Sequence, residues 1–375
     1  MKDYLKLFAS VANYDTWKSS ENYIEPSVSH TLDNDIVHYQ PVAKNASHNN
    51  YDDYLTFEAI EDTTFKFTKN ALQYSLDDGD TWTTLAAETA SPTVTTGNKI
   101  LWKQTGLTPN EEGIGHFSST GQFNVSGNIM SLHYGDNFVN KADLTDKNYA
   151  FYELFQYCSK LVNAENLILP ATTLSRACYT SMFYECTSLT TAPELPATTS
   201  AYGCYSSMFA DCTSLTTAPE LPATTLATYC YSSMFLGCTS LTSAPELPAT
   251  TLAEGCYYYM FKDCSLLTSA PELPATTLAN NCYYNMFKNC TSLTTAPELP
   301  ATTLATGCYR DMFNGCTSLN YIKCLATTNT SADYATSNWV AGVSSSGTFV
   351  KDASMGSWST GINGIPTGWT VQNAA

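Results

Sequence analysis

Residues 230–255 read CYSSMFLGCTSLTSAPELPATTLAEG, and close variants of this 26-residue unit fill much of the chain. Met182, Met208, Met234, Met260, Met286 and Met312 recur at that interval, and each is followed by Phe. A cysteine lies four positions before every one of these Met residues and another four positions after, from Cys178 and Cys186 to Cys308 and Cys316. A weaker copy, Phe151 to Cys158, precedes the series. A fixed period of roughly 20–29 residues marks leucine-rich-type stacks, in which each unit covers its apolar face with the next.

Within one unit, Leu226, Cys230, Met234 and Cys238 stand four apart, with Ala227, Tyr231 and Phe235 beside them. This broad apolar stripe predicts a helix. Thr225 is placed to cap it, Thr251 and Glu254 fit a capping box in the next unit, and Gly237 and Gly315 fall near the expected helix ends. The segment Leu241 to Leu247 is then short and extended, because Pro245 and Pro248 limit a regular strand. The expected fold is an α+β repeat solenoid, a helix plus a short strand in each 26-residue repeat.

The 14 cysteines show no C-x-x-C pair, and none of the five His falls inside the repeats, so the pattern does not make a local zinc set. Helices about 10 Å apart would also be too far for disulfides. Reduced, buried thiols are expected.

The repeat resembles the BspA-like leucine-rich repeat, with its x-F-x-x-C-x-S-L-x-x-x-x-L-P signature, over about residues 151–325. It departs from that pattern in its period, its Met-Phe pair and its Pro-Glu-Leu-Pro segment. The family occurs on surface adhesins of gut and oral Bacteroidales and in tail-associated proteins of their phages. The resemblance therefore implies a recognition role, on a virion assembled in the host cytoplasm or on a bacterial cell surface.

Working outward, residues 1–48 combine an amphipathic stretch (Leu5, Phe8, Val11, Tyr14, Trp17) with a hairpin pattern from Val28 to Tyr39. The opening of this segment is similar to N-terminal regions of Bacteroides phage virion proteins, which implies attachment to other virion proteins. Residues 49–142 alternate in β fashion at Tyr54 to Ala59, Phe65 to Phe67, Leu72 to Tyr74, Ile100 to Trp102, Phe117, and Phe123 to Val125, predicting a small β-sandwich. Ser75 to Trp82 resembles the Asp-box hairpin of sialidase propellers, a folding device remote from their active sites. The repeats occupy 143–325. Residues 326–375, with Trp339, Phe349, Trp358, Ile365 and Trp369, are expected to cap the open end; exposed indoles for sugar binding are the alternative.

Lys and Arg total 17 against 34 Asp and Glu, a formal charge of −17 over 375 residues. That excludes an electrostatic nucleic-acid binder and disfavours anionic lipid. No apolar run is long enough for membrane insertion. Asp3 and Lys6 interrupt any leader-like apolar core, which favours a virion part over a secreted adhesin.

No G-x-S-x-G, P-loop, dinucleotide or H-E-x-x-H motif occurs, and His is absent from residue 134 onward, so an enzyme and a cofactor are not expected. Glu194, Glu220, Glu246, Glu272 and Glu298 form a one-per-repeat ladder, expected to be a solvated edge with divalent cations as the sharper alternative. The residues that vary between repeats lie outside the apolar stripe. Among them Tyr258, Tyr259, Lys262, Tyr284, Asn285, Lys288 and Arg310 suit stacking and hydrogen bonding to a host glycan or protein. The expected protein is a non-enzymatic recognition component of a virion; a purely structural decoration protein is a rival reading. A homotrimer is compatible with a fibre.

Overall fold

Apolar–polar alternation in the first half of the chain builds strands as expected, and the computed structural model describes residues 53–327, 334–355 and 358–374 together with four two-residue strands before them. Contacts divide the chain into Met1–Asn50 and Tyr51–Ala375. In the first unit β1 (Tyr23–Ile24) pairs antiparallel with β4 (Val42–Ala43), and β2 (Leu32–Asp33) with β3 (Ile36–Val37). The amphipathic stretch from Leu5 to Trp17 lies outside the described residues.

In the second unit β5 (Leu55–Ala59), β6 (Phe65–Phe67), β7 (Leu72–Ser75), β9 (Lys99–Lys103), β10 (Phe117–Ser119) and β11 (Phe123–Asn128) occupy the alternating segments. The sequence reading missed β8 (Thr83–Leu85) and β12 (Leu161–Ile168). The sheet runs β12-β11-β5-β9-β7-β8, and β6 and β10 form a separate two-stranded ladder. The expected β-sandwich is thus corrected: one six-stranded sheet is packed by a single short ladder. Its core is a ring cluster in which Phe57 meets Phe65, Trp102, Phe117 and Phe123 at 4.8–5.8 Å.

The larger correction concerns the repeats. The α+β leucine-rich-repeat solenoid, with a helix and a strand in each unit, is not formed. Among the described residues the one α-helix is α1 (Ser131–Tyr134), which precedes the repeats. The repeats themselves consist of consecutive turns joined by single parallel bridges such as Thr199↔Thr225, Thr225↔Thr251 and Thr251↔Thr277.

The backbone hydrogen bonds explain why. The N–H groups of Ala177, Tyr179, Ser181, Phe183 and Glu185 donate to Tyr202, Cys204, Ser206, Met208 and Ala210 of the following repeat at 2.9 Å. The intervening N–H groups of Thr180, Met182, Tyr184 and Cys186 donate to Ala177, Tyr179, Ser181 and Phe183, closing turns at 3.0–3.3 Å. Buried amides need partners, and here they alternate between the local turn and the neighbouring repeat. A helix would keep every such bond to itself.

Each turn requires a left-handed residue at every fourth position. In this repeat they are Ala177, Ser181 and Glu185, with φ of 52–56°. Elsewhere the same positions often carry Gly, Asn or Asp, as at Gly237, Gly255, Asp263, Asn281, Asn289 and Gly315. Those residues enter this conformation at least cost. The spacing of four that suggested a helix thus belongs to a four-residue turn. On a true helix the stripe would slide by about 40° at each such step.

Side chains then align in columns. Tyr179, Tyr205, Tyr231, Tyr257, Tyr283 and Tyr309 stack with centroids 5.7–6.0 Å apart. Phe155, Phe183, Phe209, Phe235, Phe261, Phe287 and Phe313 do so at 5.4–5.9 Å. Each ring pair contributes about 0.5–1.5 kcal/mol beyond its burial.

The second cysteine of each unit bonds the repeat before it. Cys186 Sγ donates to Phe155 O, and Cys212, Cys238, Cys264, Cys290 and Cys316 repeat that bond at 2.9–3.1 Å. Repeats approach more closely than packed helices, so helix separation is not what keeps the thiols apart. All 14 cysteines are nevertheless free and buried.

Both ends of the stack are covered. At the first, β12 pairs parallel with β11, and Phe155 packs on Phe117 at 5.8 Å. At the last, Tyr334, Asn338 and Gly342 continue the left-handed positions, and the Trp339 indole meets Tyr309 and Phe313 at 6.3 Å. Beyond it β13 (Tyr321–Cys324), β14 (Thr348–Lys351) and β15 (Thr370–Asn373) form a parallel sheet. Trp339, Trp358 and Trp369 are all buried, with Trp339 bonded to Gly364 O and Trp369 to Ser344 O. Their indoles point into the core rather than forming an exposed sugar platform.

Candidate functional site

Tyr258, Tyr284 and Arg310 take the second position before Met in three successive repeats. The stacking therefore brings them into one outer column. Tyr258 and Tyr284 lie parallel with centroids 4.7 Å apart, and the Arg310 guanidinium sits 5.3 Å over Tyr284. Tyr259 packs against both rings, at 4.2 and 5.5 Å. The Lys262 ammonium is 5.5 Å from the Tyr259 ring and 3.0 Å from Asp263. Asp311 lies 3.7 Å from both Lys288 and Arg310.

Burial, first among the causes, raises the pKa of Tyr258, Tyr259 and Tyr284. Their hydroxyls are therefore protonated donors at neutral pH. All three rings are half-buried, so they offer edges and hydroxyls without being loose. Six of the seven candidate residues are partly accessible, whereas Asn285 is 1% exposed. It occupies the same left-handed column as Tyr259, with φ of 55° against 59°.

Sequence reasoning missed how far this surface extends. Arg176 lies 4.6 Å over Tyr202 and donates from Nε to the Tyr149 hydroxyl at 3.2 Å. Tyr229 meets Tyr202 and Tyr258 edge-on at 6.2 Å. Arg176 and Tyr202 share one column, but Tyr229 stands one position away from it and Tyr258 three further, so no single column of the aligned units reveals the whole contact.

The glutamate ladder is exposed at every step, with Glu298 bound to Lys323 at 2.9 Å. A cleft of about 380 Å³ runs between Pro193-Glu194 and Pro219-Glu220. Among the described residues no three His, Cys, Asp or Glu side chains converge as a metal site. No helix among them is long and apolar enough to cross a membrane.

In the sheet unit, Asp77 accepts from Ser75 Oγ at 2.7 Å and from Thr81 N at 2.9 Å, while Trp82 Nε1 donates to Gly79 O at 3.0 Å. The Thr81 and Ser75 hydroxyls hold the Asp77 carboxyl down at about 2. This carboxylate is committed to closing its own hairpin. The Lys103 ammonium sits 4.0 Å over the Trp82 ring and 2.6 Å from Asp136, occupying the space beside it.

Burial keeps the thiols protonated, with Cys230 raised to about 11 and Cys158 to about 12. Thiols held in that form are poor nucleophiles at neutral pH. His133, on α1, is buried with Nε2 3.1 Å from Ala150 O, and burial lowers its pKa to about 4. No family model matches the chain, and no curated protein or solved structure matches it.

Proposed function

We propose that this chain is a non-enzymatic recognition component of a virion. Its tyrosine-rich outer surface would contact a glycan or an outer-membrane protein on the bacterial host. The observation that carries this reading is the cluster of Tyr258, Tyr259 and Tyr284 with Lys262, Lys288 and Arg310, side by side and partly accessible on a rigid stack. The fixed residues of the repeat are consumed by packing, whereas these changeable ones are left for contact. Aromatic rings with hydroxyl and cationic groups around them give adaptable recognition at low entropic cost. The virion setting rests on the resemblance of the repeat, and contact with other virion proteins is assigned to the N-terminal region.

The test is binding of the fluorescently labelled full chain to intact Bacteroidales cells. Saturable binding that falls at least tenfold in a Tyr258→Ala/Tyr284→Ala double variant supports the reading. Saturable binding unaffected by that variant would place recognition elsewhere on the chain, and no binding across a strain panel would remove the receptor role.

A further inference from the structure

We propose that the outer surface carries one continuous track for a neutral, linear glycan, running from Tyr149 to Tyr334. This rests on the recognition reading and assigns its ligand class. Consecutive repeats connect Tyr149 to Arg176, Arg176 to Tyr202, Tyr202 to Tyr229, Tyr229 to Tyr258, Tyr258 to Tyr284, and Tyr284 to Arg310. Arg310 also lies 5.9 Å over the Tyr334 ring. Tyr202, within the track, and Tyr334, at its far end, are 44% and 62% exposed, so the track is open to a ligand at those two points.

The track changes column along its length. Arg176 and Tyr202 stand six positions before their Met, Tyr229 five, and Tyr258, Tyr284 and Arg310 two. Copying a repeat places a residue in the same column each time. A line of touching groups that changes column therefore cannot come from copying one repeat alone.

One glycine keeps it continuous. A Cβ on Gly255 would collide with the Tyr229 ring, so its absence lets that ring lie across the next repeat towards Tyr258.

The spacing and charge select the ligand. Ring centroids advance by 4.7–6.2 Å per repeat, comparable with one pyranose unit of an extended glycan chain. Tyr229 stands at 79° and 87° to its neighbours, so ring faces alternate with hydroxyl edges along the line. Faces suit the apolar side of a sugar, and the hydroxyls suit its polar rim. The two arginines are already engaged with Tyr149, Asp311 and the rings, within a chain of formal charge −17. A polyanion would be repelled by that field.

The experiment measures affinity of the full chain, by calorimetry, for size-resolved neutral oligosaccharides (xylo-, cello- and manno-series, disaccharide to polymer) with polygalacturonate as the anionic comparison. Neutral and anionic surface polysaccharides from cells that bind the chain form a second arm. The expected result is affinity for a neutral series that rises with chain length and then levels off. Tyr229→Ala should reduce long-chain affinity roughly tenfold while leaving short-chain binding intact. Gly255→Ala should do the same with every ring retained, and Tyr229→Phe should keep most of the affinity.

Absence of neutral-glycan binding, preference for the anionic chains, or indifference to Tyr229→Ala and Gly255→Ala in variants with unchanged melting would overturn the track. Cell binding that survives removal of surface polysaccharide would overturn it while leaving recognition standing, with a protein receptor. Length-dependent glycan binding without cell binding would have the opposite meaning.

Discussion

The sheet unit and the repeat stack satisfy the same backbone requirement in two different ways. In the sheet unit, hydrogen bonds join strands antiparallel apart from the parallel β11–β12 edge, and the period is two, so one face of Phe57, Trp102 and Phe123 closes over a core of unlike contacts. In the stack, every second N–H crosses to the next repeat and the period is four, so like side chains meet like. A core of unlike contacts concentrates stability in a few central rings. A columnar core distributes it, because each ring has one neighbour above and one below.

Alanine substitutions in the two ring systems test that contrast with the largest expected effects. Phe57 meets five other aromatic rings and Phe235 two. Both variants create cavities costing about 3–5 kcal/mol, with Phe57→Ala near the top of that range and Phe235→Ala near the bottom. Denaturant unfolding measures both, and a costlier Phe235→Ala would contradict the distributed view.

Acid separates the regions next. His133 lies where the sheet unit meets the first repeat, its ring 4.9 Å from Phe151. Burial and then the Lys147 charge lower its pKa from 6.5 to about 4. The folded value lies below the unfolded one, so this contribution is complete above pH 6.5 and is lost as the pH falls to about 4. The loss is about 3 kcal/mol. Hydrogen exchange should show the sheet side opening first, since the repeats contain no His. His133→Gln should flatten the pH dependence; an unchanged profile would remove His133 as its source.

Two smaller effects probe the stack alone. Gly237 has φ of 69°, and a Cβ there would collide with the Asp211 side chain. Gly237→Ala should cost about 1–2 kcal/mol in thermal unfolding, where a helix interior would gain up to about 1 kcal/mol from the same change. Cys238→Ala removes the thiol bond to Phe209 O and should cost about 1 kcal/mol, with Cys238→Ser recovering part of it. Native thiols should resist alkylation until unfolding exposes all 14.

The sheet strands were legible because Phe65-Lys-Phe67 and Phe123-Asn-Val125 alternate with the strand period itself. The repeat boundaries and the buried cysteines were legible for a similar reason: strict recurrence forces identical environments. The turns were misread because Leu226, Cys230, Met234 and Cys238 satisfy helix spacing locally. The contrary signal was Gly, Asn and Asp returning at every fourth position, as in Asn281, Asn285 and Asn289. The outer cluster was legible at Tyr258, Tyr284 and Arg310, which share a column. Tyr202 and Tyr229 were not, since their contact depends on how far each ring reaches across the following repeat.

The most direct test of the turn architecture compares Ser233→Gly with Ser232→Gly. Ser233 is left-handed with φ of 55°, whereas the adjacent Ser232 is not among the positive-φ residues. The account predicts that Ser233→Gly is neutral or stabilising, about 1 kcal/mol better in thermal unfolding than Ser232→Gly. Equal destabilisation of both variants, as in a helix interior, would contradict it.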